Sequence, residues 1–306
     1  MKRIRLQSPA KLNLFLKVIN KRSDGYHNLK TLFERINLCD TIDLSLNRSG
    51  AIRIACRHPH VPKGPKNFVY RVAKLLKDDF KIPYGVDIRI TKRIPVAAGL
   101  AGGSSNAATV LIGLNKLWNL ALDQKKLVAY AKRIGSDVPF FLYDCSWAVG
   151  VKRGDEIKEI KIPHKLWHIL VVPYVKMYTK EVFGRLNLKL TKQIDNVNIL
   201  TRSLRNNDLT KDRALLSNDL EKSILRIRPQ LSLLKEKLAS FPIPGVSFSG
   251  SGPSVFGITK SQQQAQQIHS ILRKRVCTVR WGDGDLRMSG FGNAHTGRRA
   301  RGCPAG

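Results

Sequence analysis

The chain has 306 residues, with 54 Lys and Arg against 22 Asp and Glu, a formal net charge of +32 at pH 7, and 42% hydrophobic residues. That length closes one large core or two of ordinary size, and the balance of apolar and charged residues excludes a disordered or fibrous chain. The surplus of positive charge attracts polyanions whatever the fold, but Lys and Arg are scattered, with no arginine-rich block and no basic stretch interleaved with aromatics for stacking bases, so anionic small molecules rather than a dedicated nucleic acid are the expected partners.

From Ile4 to Ile19, Ala10, Leu12, Leu14, Leu16 and Val18 alternate with Lys11, Asn13, Phe15, Lys17 and Ile19. This predicts a strand with one well-buried face and sets Lys11 and Asn13 side by side on the other. Asp24 and Gly25 supply turn chemistry in KRSDGYH, and strand-like runs follow at TLFERINL, TIDLSL and AIRIAC. Val69, Val72, Ala73 and Leu76 recur at helical spacing and predict a helix over 67–77, after which VDIRITKRI reads as a strand ending before Pro95. A glycine-rich segment then opens an amphipathic helix marked by Ala107, Val110, Leu111, Leu114 and Trp118, with Ser104 or Ser105 as its N-cap. A second helix is predicted over 124–134. Strands first and helices over them suggest an α+β domain spanning 1–163.

The pattern restarts at Trp167 with the short apolar strand HILVVP, helical stretches over 180–186 and 225–239, the strands GVSFSG and SGPSVFGI, a glutamine-rich helix over 261–273 and a last strand CTVRW. This alternation is ferredoxin-like and makes 164–281 a second, smaller α+β domain. Residues 282–306 contain seven of the 23 glycines and four arginines without hydrophobic periodicity, and are expected to form a flexible tail. No internal repeat is visible.

Five cysteines, Cys39, Cys56, Cys145, Cys277 and Cys303, are odd in number and never form a CxxC pair, which disfavours a disulfide framework or a zinc ribbon and suggests a reducing cytoplasm. No stretch has the roughly 18 to 20 apolar residues that a bilayer crossing needs, so no membrane partner is expected. The opening MKRIRLQSPAKLN reaches Pro9 and Lys11 before an apolar core can form and does not read as a secretory signal; the mature chain is expected to start at Met1.

The segment PVAAGLAGGSSNAA, residues 95–108, places glycines and small side chains directly before a helix whose first turn presents unpaired N–H groups. Gly99, Gly102 and Gly103 permit close backbone approach, Ala101 adds no bulk, Ser104 and Ser105 add hydroxyls, and the helix dipole favours an anion. A glycine-rich turn also suits tight packing against a strand, but loop, serines and helix together point to phosphate. Neither GxxxxGK[ST] nor GxGxxG occurs, and no HRD or DFG triplet is present, which sets aside P-loop, Rossmann and eukaryotic-type protein kinase architectures.

This segment is similar to the second motif of the galactokinase, homoserine kinase, mevalonate kinase and phosphomevalonate kinase (GHMP kinase) superfamily. PAKLNLFLKVINKRSDGYHNLKTLF at 9–33, GSDVPFF at 135–141 and GSGPSVF at 250–256 resemble its other motifs, in order, over about residues 4–281. The resemblance implies a two-domain α+β fold, with an N-terminal domain like that of a ribosomal protein and a C-terminal ferredoxin-like domain. It also implies an ATP-dependent small-molecule kinase, with Mg2+ neutralising the nucleotide; no dedicated acidic metal cage is visible in the sequence. PAKLNL and DGYH narrow it to the branch that phosphorylates the 2-hydroxyl of a methylerythritol unit carried on cytidine diphosphate, a step of non-mevalonate isoprenoid synthesis.

The same resemblance implies roles for individual residues. Lys11 and Asp137 match the catalytic pair, a tertiary alcohol needing both a base for its proton and a cation beside the transferring group. Pro95, Val96, Ala97, Ala98, Gly99, Leu100, Ala101, Gly102, Gly103, Ser104 and Ser105 would form the ATP loop, with Ser104 or Ser105 a possible Mg2+ ligand. Tyr26 and His27 would stack on and hydrogen-bond the cytosine, Asn13, Thr179 and Phe183 would contact substrate, and Ser249, Gly250, Ser251 and Gly252 would close over its phosphates. Read from residues alone, Asp137 is equally a helix N-cap before Val138 and Pro139, and Lys11 a strand lysine reaching solvent. The remaining readings are a mevalonate or homoserine kinase, which has no cytosine to hold, and an RNA-binding protein, whose affinity would fall steeply with salt.

Overall fold

In the computed structural model, which describes residues 2–188, 196–208, 216–276, 287–288 and 292–293, the chain begins with two long antiparallel strands, β1 (Arg3–Lys21) and β2 (His27–Asn47). They pair from Arg3 opposite Ser45 to Lys21 opposite His27, with register shifts at Pro9/Ala10, Asn13/Phe15 and Val18/Asn20. The first shift falls beside Pro9, which has no N–H for the ladder. TLFERINL and TIDLSL are thus one strand. The C-terminal part of β2 pairs with β4 (Gly85–Thr91) and Thr31–Glu34 of its N-terminal half with β5 (Trp147–Val151), while β3 (Ile52–Cys56) and β6 (Glu156–Ile160) form the two edges.

Helices α1 (Phe68–Asp79), α2 (Gly102–Leu117) and α3 (Gln124–Ile134) cover one face. Asn67 caps α1 through the Val69 N–H at 2.9 Å and Asp123 caps α3 through the Lys126 N–H at 2.7 Å, each satisfying a donor that the first turn leaves orphaned. Val72, Leu76, Val110, Leu111 and Leu114 pack on Ile42, Leu44 and Ile88 of the sheet, so burial of these helical stripes holds the layer together.

The second half contains the antiparallel sheet β7 (Trp167–Val172), β9 (Val255–Thr259) and β8 (Gly245–Phe248), in that order, with α4 (Thr179–Gly184), α5 (Val197–Arg205), α6 (Glu221–Ile227), α7 (Leu231–Ala239) and α8 (Gln262–Val276) around it. The single helix expected over 225–239 is two, because Pro229 pushes Arg228 out of the helical region, to φ −139° and ψ 78°. Helix α5 was not predicted, although Val197, Leu200 and Leu204 form its buried stripe. The strand expected at CTVRW lies outside the described residues. Within the segment read as a flexible tail, β10 (Arg287–Met288) and β11 (Gly292–Asn293) pair with β7, so these four residues belong to the sheet.

The sheets change between Ile160 and Trp167, but the core does not stop there: Ala10, Leu12 and Leu14 share an apolar cluster with Leu170, Val172 and Phe256. This corrects the one-faced reading of β1, since residues 10–16 are all buried. The second half packs on the apolar face that alternation assigns to the core, and Lys11 and Asn13 on the opposite face are buried as well. The Leu16 N–H donates to the Ser217 carbonyl and the Leu16 carbonyl accepts from the Asp219 N–H, both at 2.9 Å. Buried Glu34 of β2 meets buried His168 of β7 at 2.9 Å across the same junction. Among the described residues no helix is long and apolar enough to cross a membrane.

Candidate active site

The glycine-rich loop bends into α2 through left-handed residues, Ala97 at φ 56°, Gly99 at 74° and Ala101 at 53°. Ala101 is the N-cap and no side chain caps the helix, which corrects the expectation that Ser104 or Ser105 would do so. Both serines lie inside the first turn. The Ser105 N–H donates to the Ala101 carbonyl at 2.9 Å and its hydroxyl is 2.8 Å from that of Ser8, so Ser105 faces the scaffold while Ser104 faces the cavity. Leaving the helix N-terminus uncapped by protein keeps its N–H groups and partial positive charge available to an anion.

Beneath the loop, buried Asp40 accepts from the Arg93 and Ile94 N–H groups at 2.7 and 2.9 Å and from Asn106 Nδ2 at 2.9 Å, and pairs with Lys92. Asn106 also donates to Ser8 at 2.9 Å. This satisfied network fixes both ends of the loop. Its crest is held from β1, where the Lys11 N–H donates to the Leu100 carbonyl at 3.2 Å.

The second glycine-rich turn, 249–254, closes directly on the first. Ser249 Oγ donates to the Gly99 carbonyl at 2.9 Å and accepts from the Asn13 N–H at 3.3 Å. Asn218 Nδ2 donates to the carbonyls of Phe248 and Gly250 at 2.9 and 2.7 Å, and the Thr179 and Ser251 hydroxyls meet at 3.0 Å. Gly250 and Ser251 line the cavity, whereas Ser249 and Gly252 do not; Ser249, expected at the substrate, is fully buried as the clasp between loops.

Between the turns lies a cavity of about 1020 Å³, at the upper end of the ordinary range for small-molecule sites. Lys11, Asn13, Asp137, Tyr26, His27, Thr179 and Phe183 all line it, as does the whole of 95–104. Lys11 is buried, donates to Asn13 Oδ1 and stands 5.4 Å over the Phe33 ring. Asn13 Nδ2 donates to Thr31 Oγ1 at 2.8 Å, which turns the Asn13 carbonyl oxygen toward the ammonium. Burial pulls the Lys11 pKa below its ordinary value, and the negative charge of Asp137 pushes it back up.

Asp137 does not cap the 3-10 turn Pro139–Leu142; Val138 holds that position without a side-chain bond. The half-buried carboxylate is therefore left to the cavity. Arg35 steadies the turn behind it, donating to the Tyr143 carbonyl at 2.5 Å and standing 5.6 Å over the Phe140 ring.

At the other end, the His27 ring lies 5.0 Å from Phe183, and the guanidinium of Arg153 lies 5.2 Å over Tyr26. Burial and nearby Lys21 lower the His27 pKa, which keeps the ring neutral, with one donor and one acceptor nitrogen. Sequence reasoning missed Arg153, His60, Val61, Pro62, Asn67 and Phe68, which also line the cavity. Their signal is weak, a basic turn and a loop before α1 that come near the site only in three dimensions.

Among the described residues no three His, Cys, Asp or Glu side chains cluster to hold a metal. The donors present fit an ion that arrives on phosphates, and the Ser104 hydroxyl lines the cavity at the helix terminus.

Residues 67–145 match the model of the GHMP kinases N terminal domain and residues 200–277 that of the GHMP kinases C terminal. A 4-diphosphocytidyl-2-C-methyl-D-erythritol kinase of Shouchella clausii is 42% identical over 268 residues, 88% of this chain and 90% of that protein. A crystal structure of 4-(cytidine 5'-diphospho)-2C-methyl-D-erythritol kinase superimposes with a TM-score of 0.76 at 29% identity, covering 95% of this chain and 100% of that one. Homoserine kinase from Cytophaga hutchinsonii shares the fold, with a TM-score of 0.73 at 22% identity, covering 95% of this chain and 96% of that one. With two glycine-rich turns clasped over one cleft and this degree of identity over most of its length, the chain belongs to the 4-diphosphocytidyl-2-C-methyl-D-erythritol kinase family of the GHMP kinases.

Proposed function

We propose that the protein transfers the γ-phosphoryl group of ATP to the 2-hydroxyl of 4-diphosphocytidyl-2-C-methyl-D-erythritol, in the non-mevalonate route to isoprenoid precursors. The observation that carries this reading is one cavity lined by the anion-ready start of α2, the Lys11 and Asp137 pair and the Tyr26, His27 and Phe183 cluster. These are the needs of phosphate, reacting alcohol and pyrimidine. The ATP phosphates lie along 95–104 at the α2 N-terminus, and the adenine lies toward Val61, Asn67 and Phe68.

Asp137 accepts the hydroxyl proton as the new P–O bond forms and the bond to ADP breaks. Lys11, drawn toward both the carboxylate and Asn13, orients the alcohol oxygen and balances charge on the transferring group. Tyr26 stacks on the cytosine, His27 reads its edge, and Asn13, Thr179, Phe183, Gly250 and Ser251 confine the rest of the molecule. The Ser104 hydroxyl, which lines the cavity at the α2 N-terminus, would help hold a Mg2+ ion carried on the ATP phosphates, and the ion would supply charge neutralisation. The free thiols Cys39, Cys56 and Cys145 suit a cytoplasmic setting.

ATP consumption with Mg2+ and the cytidylyl substrate, beside mevalonate, homoserine and Asp137→Asn, tests the reading. Turnover with the cytidylyl substrate alone, and a loss of about 10² to 10⁴-fold in kcat for Asp137→Asn, is the expected outcome. A folded protein that turns over none of the three substrates refutes it.

A further inference from the structure

Two hairpin turns meet at the pyrimidine end of the cavity. In the first, following β1, Asp24 pairs with Arg22 at 2.8 Å and accepts from the Tyr26 N–H at 3.1 Å, a side-chain turn that fixes the backbone of Tyr26. In the second, between β5 and β6, Asp155 accepts from Arg153 Nε at 3.0 Å and Nη2 at 2.5 Å. Asp155 is buried, and the Leu29 N–H donates to the Lys152 carbonyl at 2.6 Å, tying this turn to β2 two residues beyond His27. The four charges alternate: Asp24 feels Arg153 as well as Arg22, and Arg22 feels Asp155 as well as Asp24. The result is a guanidinium locked 5.2 Å over the ring of Tyr26, a residue 54% exposed that lines the cavity.

An exposed aromatic on a tight turn makes a poor stacking platform unless its ring is already held, because immobilising it on binding costs entropy. A cation over one face holds the ring electrostatically and leaves the other face to an incoming base. We propose that Arg153, oriented by Asp155, is a positioning residue for the cytidine half of the substrate. It backs Tyr26 as a preformed stacking platform and does not itself touch the substrate. This rests on the reading of Tyr26 under the proposed function.

The test is steady-state kinetics on Arg153→Ala, Arg153→Lys, Tyr26→Leu and the Arg153→Ala/Tyr26→Leu double variant, with melting temperature recorded for each. Arg153→Ala is expected to raise KM for the cytidylyl substrate about two- to fivefold, the range that an exposed cation–π contact supports, with kcat and KM for ATP unchanged. Arg153→Lys restores part of the loss, since an ammonium keeps the charge but not the two bonds to Asp155. In the Tyr26→Leu background Arg153→Ala adds nothing further, because the platform it serves is gone. An unchanged KM in Arg153→Ala overturns the proposal, as does an equal KM increase with and without Tyr26, which would mean direct contact with substrate. If Tyr26→Leu alone leaves KM unchanged, the reading of Tyr26 fails first and the proposal falls with it. A matching rise in KM for ATP, or a fall in melting temperature that tracks KM, assigns Arg153 to general stability and overturns its positioning role.

Discussion

Gly99→Ala probes the contact between the two glycine-rich turns. A methyl group on Gly99 would stand 2.1 Å from the Ser249 carbonyl oxygen and 2.9 Å from that of Gly252. Both are backbone atoms, so no side-chain rotation relieves the overlap. Gly99 is also left-handed, at φ +74°, a region that costs an L-residue about 1–2 kcal/mol. Forcing the turns apart adds an overpacking cost of about 1–3 kcal/mol, for a sum of about 2–5 kcal/mol. At about 2–4 °C per kcal/mol for domains of this order of size, the melting temperature falls by several degrees. Kinetics should suffer more than stability, because the shift separates the first glycine-rich loop from the face holding Asn13 and Lys11, and a misplacement of about 1 Å costs on the order of 10²-fold. Thermal denaturation and steady-state turnover measure the two effects. Gly103→Ala is the control for stability, since a methyl group there meets nothing within 4 Å and the melting temperature should hold. A Gly99→Ala protein that melts and turns over like the parent would refute the close apposition of the turns.

Lys11→Met should abolish turnover while raising the melting temperature. Burial depresses the Lys11 pKa, so below the ordinary lysine range burying this amine costs stability, a cost that an apolar side chain of similar shape removes; a fall in stability would contradict this. Glu34 has the opposite sense: burial raises its pKa above the ordinary 4.5, with His168 only partly opposing. Its contribution to stability is therefore complete below the ordinary carboxylate range and is lost as pH rises through the raised value. Urea denaturation of the parent and Glu34→Gln from pH 4 to 8 should show the variant gaining relative stability as pH rises; parallel curves would count against the argument.

Much of the fold is written in local pattern. The alternation in β1, the helical stripes of α1 and α3 and their Asn67 and Asp123 caps depend on neighbours close in sequence. The break between α6 and α7 was an equally local signal, pre-proline geometry at Arg228, but the single helix expected over 225–239 passed over it. The burial of Lys11 and Asn13 on the second face of β1 was not legible, because the turn that lies against them, with Ser249 and Gly250, comes from the far half of the chain. The start of α2 misled for a related reason: serine propensity argues for a cap at 104 or 105, but contacts with Ser8 and β1 draw the helix start back to Gly102. At the site, motif resemblance placed Lys11, Asp137, Tyr26 and His27 on one cavity. It could not separate Ser104 from Ser105, or Ser251 from Ser249, because which hydroxyl faces the cavity and which braces a loop is decided by tertiary neighbours. Arg153 was invisible, since a basic residue in a turn reads as solvated until a second hairpin stacks against it.

The bond from the Asn13 N–H to Ser249 joins positions 236 residues apart. A ribosome adding about 5–20 residues per second makes these ends roughly 10 to 50 s apart, and contacts of such separation form slowly because a long loop must close first. A nascent chain that already carries Lys11 and Asp137 still lacks the turn that clasps Gly99. The clasped cleft therefore cannot assemble until the 249–254 turn has been made.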